Sequence, residues 1–201
     1  MNMKKVLLAV MLVAAVVISS AVSAQAEGSF KRFNIYTDKG ASDNHYVPSG
    51  WMGDFKGLYI SDGWPMNTHS GPSCIKVSYK QKGELSYKWV GVYWQNPEKN
   101  WGQMKQGGFD LTGATKLVFW IRGEKGTEVI DNIIVGGIKG TYGDSCSISV
   151  GPIDLTKEWQ KIEIKLDNQD LSYVIGGFGF SVNLASNPED FVFYLDDIYY
   201  E

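Results

Sequence analysis

The feature that most constrains this chain is a period-two alternation of apolar and polar residues, recurring in short runs. Trp159–Leu166 (WQKIEIKL) shows it plainly. On an extended strand Ile162, Ile164 and Leu166 share one face, while Lys161, Glu163 and Lys165 share the other. Thr115–Arg122 (TKLVFWIR) repeats it, directing Leu117, Phe119 and Ile121 to a core and Val118, Trp120 and Arg122 away from it. Ser29–Tyr36, Cys74–Tyr79, Trp89–Gln95, Val129–Ile138, Asp144–Val150, Gly176–Asn183 and Phe191–Tyr200 are further strand-like runs, most of them rich in β-branched and aromatic residues. Glycines inside several of them predict bulges or close backbone approaches. Helical signals are nearly absent, a single turn around Asp170–Val174 being the best case. Roughly nine or ten short strands separated by turn residues predict an all-β, antiparallel two-sheet β-sandwich, with a barrel as the alternative.

One long stretch breaks the alternation. Thr37–Trp64 is dominated by Gly, Asp, Asn, Ser and Pro, which predicts an ordered irregular segment of the kind that often carries function. It holds Asp38, Asp43, Asn44, His45, Asp54 and Asp62, whose oxygens are suitable ligands for calcium, although their spacing is not that of an EF-hand.

The N-terminus has a different character. Lys4 and Lys5 precede an apolar run, Val6–Ile18, followed by small residues and the tripeptide Ala24-Gln25-Ala26, the pattern of a cleaved signal peptide over residues 1–26. Val22-Ser23-Ala24 is the alternative cleavage signal, and an uncleaved anchor is the alternative fate. The run is shorter than the roughly 20 residues a membrane span needs. Cleavage leaves 201 − 26 = 175 residues, 27–201, enough for one domain with one core, secreted or periplasmic and without membrane insertion. Loss of two lysines takes the formal charge from −3 to −5. Such a chain, without a basic cluster, makes a poor partner for nucleic acid. In an oxidising compartment Cys74 and Cys146 are expected to form a disulfide, stabilising by about 4–5 kcal/mol through loop closure, the alternative being two buried thiols.

The aromatic residues carry the functional expectation. Lys88–Gly102 (KWVGVYWQNPEKNWG) sets Val90, Val92 and Trp94 on one strand face and Gly91, Tyr93 and Gln95 on the other, so rings lie on both. Seven tryptophans are many for one core, and surplus rings beside polar turn residues suit stacking on sugars. Trp51, Trp94, Trp101 and Trp120 are the candidate rings; Tyr93, Gln95, Asn100 and Arg122 are the candidate polar contacts. The purely structural alternative for Arg122 and Trp120 is a cation–π or ion-pair contact between strands. Catalysis has thin support: no nucleophile elbow accompanies His45 or His69, and the carboxylates show no clustered pair of the kind glycoside hydrolysis needs. The expectation is therefore a non-catalytic protein that binds a polysaccharide or glycan. The rival is a cell-envelope structural module that contacts another protein through an apolar patch. A glycoside hydrolase ranks below both.

The C-terminal Phe193-Tyr194-Leu195-Asp196-Asp197-Ile198 resembles the closing strand of β-jelly-roll carbohydrate-binding modules. The order of Ala114–Gly123, Glu158–Leu166 and Asp170–Phe180 is similar to that of the same modules. The resemblance implies a jelly roll and a non-catalytic sugar-binding role. It also implies a structural calcium, with Asp196 or Asp197 facing the ion and partners from Asp38, Asp43 or Asp54; the alternative is that the Asp pair accepts backbone hydrogen bonds. Modules of this kind are usually appended to glycoside hydrolases.

Overall fold

The computed structural model describes residues 30–82 and 84–201, so the expected signal segment lies outside the described residues. The chain runs β1 (Phe33–Tyr36), β2 (Val47–Gly53), a 3-10 turn (Phe55–Gly57), β3 (Leu58–Trp64), β4 (Cys74–Tyr79), β5 (Trp89–Gln95) and β6 (Lys116–Gly123). It continues with β7 (Val129–Ile130), β8 (Asn132–Gly136), β9 (Ser147–Val150), β10 (Ile153–Asp154), β11 (Gln160–Lys165), β12 (Gly176–Asn183) and β13 (Phe191–Tyr200). One sheet has the order β11-β6-β13-β4-β3, with β1 also on β13; the second has the order β2-β5-β12-β8-β9; β7 and β10 form a short ribbon. The pairings are antiparallel. The architecture is an all-β two-sheet sandwich.

Alternation places the core. Val90, Val92 and Trp94 of β5 and Phe178, Phe180 and Val182 of β12 point inward from the five-stranded sheet. They meet Leu117, Phe119 and Ile121 of β6 and Phe193 and Leu195 of β13. Rings stitch the sheets together: Phe119 lies 5.4 Å from Phe178, and Phe180 lies 5.1 Å from Phe193 in an edge-on pair.

Three expectations are corrected. Thr37–Trp64 is not irregular throughout, because β2 and β3 lie inside it as edge strands. Their composition (Pro48, Ser49 and Gly50 in β2) argues against a strand locally, but hydrogen bonds from β5 and β4 hold them extended, and an edge tolerates proline. No helical turn forms at Asp170–Val174, where Phe109 and Val174 instead exchange backbone hydrogen bonds. Cys74 and Cys146 are not bridged: Cys74 opens β4 in one sheet and Cys146 precedes β9 in the other, both as buried free thiols. Burial pushes each thiol up to about 11.

Candidate functional site

The residues proposed from sequence do not converge on one surface. Trp94 is 1% exposed and edge-on to Phe178 at 5.3 Å, so it is core and out of a ligand's reach. Gln95 and Asn100 are buried as well. The Gln95 Nε2 group donates to the Asn100 carbonyl at 2.8 Å, Gln95 Oε1 accepts from Ser49 Oγ, and Asn100 Oδ1 accepts from the Gly102 amide. These amides fasten the turn that presents Trp101, which is 40% exposed. Trp51 pairs with Val92 and so faces inward, half-buried at the rim of the core. Tyr93 does face outward, but it is nearly covered, edge-on to Trp101 at 6.0 Å and donating its hydroxyl to the Gly136 carbonyl.

Trp120 and Arg122 lie on the outer face of the other sheet, paired with Asp196 and Tyr194 of β13. The sandwich is about 10 Å thick between its sheets, so one bound chain cannot touch both outer faces. The imidazole of His69 stacks on Trp120 at 3.7 Å, and Arg122, 8% exposed, sits between the rings of Tyr194 (4.0 Å) and Trp159 (5.5 Å). The segment around Asn67–Ser70 covers this face, its Asn67 carbonyl accepting from Trp159 Nε1.

The five aspartates named for calcium are dispersed. Asp38 accepts from the Ser73 amide, and Asp43 from Asn34. Asp54 accepts the backbone amides of Ser86, Tyr87 and Lys88. Asp196 Oδ2 accepts the amides of His69 and Ser70, and Asp197 accepts from His69 Nδ1 and Ser70 Oγ. Among the described residues, no three Asp, Glu, His or Cys side chains converge as metal ligands. Asp196 and Asp197 accept hydrogen bonds from the His69–Ser70 segment, the alternative role considered for the pair.

The open surface is the outer face of the five-stranded sheet. Its outward positions are Gly50 and Met52 on β2, Trp89, Gly91 and Tyr93 on β5, Gly179, Ser181 and Asn183 on β12, and Asn132 and Ile134 on β8. Gly91 lacks a side chain because a Cβ there would lie 2.4 Å from the Phe180 carbonyl oxygen; at Gly179 it would press the Tyr93 ring at 2.8 Å. This face carries a trough of about 420 Å³, with Met52, Trp89 and Ile134 as its apolar surface and Asp131, Asn132, Ser181 and Asn183 as its polar one. Asn132 is held by Ser181 Oγ and Ser149 Oγ, each at 3.0 Å. Asp131 accepts from the Asn183 amide (2.5 Å) and from Ser186 Oγ (3.0 Å). The polar rim is thus preorganised, with hydroxyl and amide groups set around a half-buried indole.

Trp89 was absent from the sequence-derived ring set. Its signal was parity: if Val90, Val92 and Trp94 point inward, Trp89 joins Gly91 and Tyr93 outside.

The fold defines a class, the two-sheet antiparallel β-sandwich of the jelly-roll kind. The chain is similar in structure to the family 30 carbohydrate-binding module of the cellulosomal cellulase Cel9D-Cel44B of Clostridium thermocellum, at TM-score 0.54 and 16% identity over 85% of this chain and 97% of that one. A further crystal structure of a family 30 carbohydrate-binding module gives TM-score 0.56 and 18% identity over 85% and 98%. At such identities the likeness establishes the fold. Compared by sequence, no family model and no curated protein matches the chain.

Proposed function

We propose that this chain is a secreted, non-catalytic carbohydrate-binding protein that lays a polysaccharide across the outer face of its five-stranded sheet. The observation that carries the reading is the trough, where the half-buried indole of Trp89 lies among Asn132, Ser181 and Asn183. An apolar ring face suits the C–H face of a pyranose, and fixed amide and hydroxyl groups suit its equatorial hydroxyls. The fold shared with family 30 modules supports the same reading. So does the single carboxylate of the trough: Asp131 already accepts two hydrogen bonds, and glycoside hydrolysis requires two carboxylates flanking the bond. Secretion follows from the signal-peptide pattern of residues 1–26.

A glycan array probed with the mature chain tests the function. Binding to at least one neutral polysaccharide is expected, with a change in tryptophan fluorescence on titration. An array without any positive neutral glycan refutes the proposal. N-terminal sequencing of the exported protein tests cleavage after Ala26.

A further inference from the structure

The outer face of the six-stranded sheet carries a second constellation, on the side of the sandwich away from the trough. Tyr194 of β13 is paired on one side with Arg122 of β6 and on the other with Lys76 of β4. The Arg122 guanidinium lies 4.0 Å from the centre of the Tyr194 ring, and Lys76 Nζ lies 6.0 Å from it. Two indoles close the row, Trp159 at 5.5 Å from Arg122 and Trp64 of β3 at 3.8 Å from Lys76. Rings and cations therefore alternate across the sheet. We propose that this row is a binding site for oxyanions, and that its ligand is an acidic polysaccharide bearing carboxylate or sulfate groups. The site goes beyond the neutral-sugar reading of the trough and does not depend on it.

Three observations carry it. The first is charge without a counter-charge. Arg122 is 8% exposed, yet among the described residues neither it nor Lys76 forms an ion pair. A charge taken so far out of water is expensive unless an opposite charge meets it, and ring faces offset only part of that cost. Glu124, which follows β6, is turned to the Tyr194 hydroxyl at 2.8 Å, and Asp196 accepts the amides of His69 and Ser70. The second is the state of the donors. Arg122 Nη1 reaches only the Gly123 carbonyl, at a long 3.4 Å, and Nε is sealed without a partner. Nη2 and Lys76 Nζ also have no partner among the described residues, and both keep contact with solvent, so these two are the donors an oxyanion can reach. A guanidinium held over ring faces is fixed in orientation with its N–H edge outward, the arrangement that suits carboxylate or sulfate oxygens. The third is spacing. Arg122 and Lys76 stand two strands apart, roughly 10 Å by the usual strand separation, so one linear chain with repeated acidic groups meets both. The half-buried indoles beside them suit units that pair an acidic group with an apolar C–H face, a pairing that an acidic peptide lacks.

The test titrates the mature chain with hexasaccharides of galacturonate, of sulfated galactose and of neutral galactose, with a poly-glutamate peptide beside them. At least one acidic hexasaccharide should bind more tightly than the neutral one, lose affinity as salt is raised, and bind Trp89→Ala as well as the parent; which of the two binds tighter tells carboxylate from sulfate. Lys76→Gln, at a half-buried position, should weaken that ligand about fivefold. Arg122→Gln should weaken it about tenfold or more, with Arg122→Lys in between because it keeps the charge and loses the fork. Glu124→Gln, at an exposed position, should tighten binding about twofold by removing a like charge from the ligand's path. If Arg122→Gln does not fold, the opposite responses of Lys76→Gln and Glu124→Gln decide. If acidic hexasaccharides bind no better than the neutral one, or if both of those variants leave their affinity unchanged, the row is a structural ladder only and the inference is overturned. Loss of acidic binding in Trp89→Ala would overturn it by moving the ligand to the trough, and poly-glutamate binding as tightly as the hexasaccharides would overturn the choice of a polysaccharide. None of these results touches the trough reading, which stands or falls on neutral glycans.

Discussion

Trp89→Ala is the sharpest probe of the trough. A fully covered aromatic side chain buries about 150–250 Å², so one indole face stacked on a sugar covers roughly 100 Å². At about 25 cal/mol per Å² the lost contact amounts to about 2.5 kcal/mol, a weakening of roughly 60-fold in Kd. The fold should tolerate the change, because Val90, Val92 and Trp94 keep the inward face of β5 intact. Some packing is lost where the indole lies against Gly53, at which a Cβ would sit 3.1 Å from Trp89 Cδ2. That costs about 1 kcal/mol, a fall in Tm of about 2–4 °C for a domain of this size. Isothermal titration with the best array ligand measures the first quantity and calorimetry the second. A folded variant whose Kd lies within threefold of the parent would refute the assignment of Trp89 as the stacking platform.

Trp94→Ala should behave oppositely, destabilising by about 3–5 kcal/mol through the cavity left beside Phe178 and Phe180; a thermal transition unmoved by it would contradict the core assignment. Stability should also depend on pH through Asp196, whose carboxyl is pushed up to about 6 by burial, with the charge of Asp197 adding. The unfolded group ionises near 4, so between about 4 and 6 the native chain holds the extra proton, and this component of stability is lost as pH rises through that window. Asp196→Asn should remove it from a plot of Tm against pH, and an unchanged plot would count against the assignment. Native protein should show no thiol reactive to Ellman's reagent at pH 8, and two after unfolding; a single mixed result of one reactive thiol would place Cys74 or Cys146 at the surface. A calcium chelator should shift Tm by less than about 1 °C, since the five aspartates are committed to hydrogen bonds, and a larger fall would reveal an ion they share.

The alternation of single segments was legible because side-chain direction on a strand is a local property. Cys74–Tyr79, Trp89–Gln95, Gly176–Asn183 and Phe191–Tyr200 form strands over the bounds read from their residues, and the inward set of β6 is Leu117, Phe119 and Ile121 as expected. From these the all-β sandwich followed. Partnership between segments was not legible, because it depends on contacts between residues far apart in the chain. Only pairing with β5 and β4 makes strands of Val47–Gly53 and Leu58–Trp64, and only sheet assignment parts Trp120 and Arg122 from Tyr93 and Trp101. The same distinction governs the candidate site. Period two places Trp89 and Trp94 on opposite faces of one strand, but whether a face meets the second sheet or solvent is decided by where the sheets stack. Tertiary structure made Trp94 a core ring, left Trp89 lining an open trough, and set the two cysteines in different sheets.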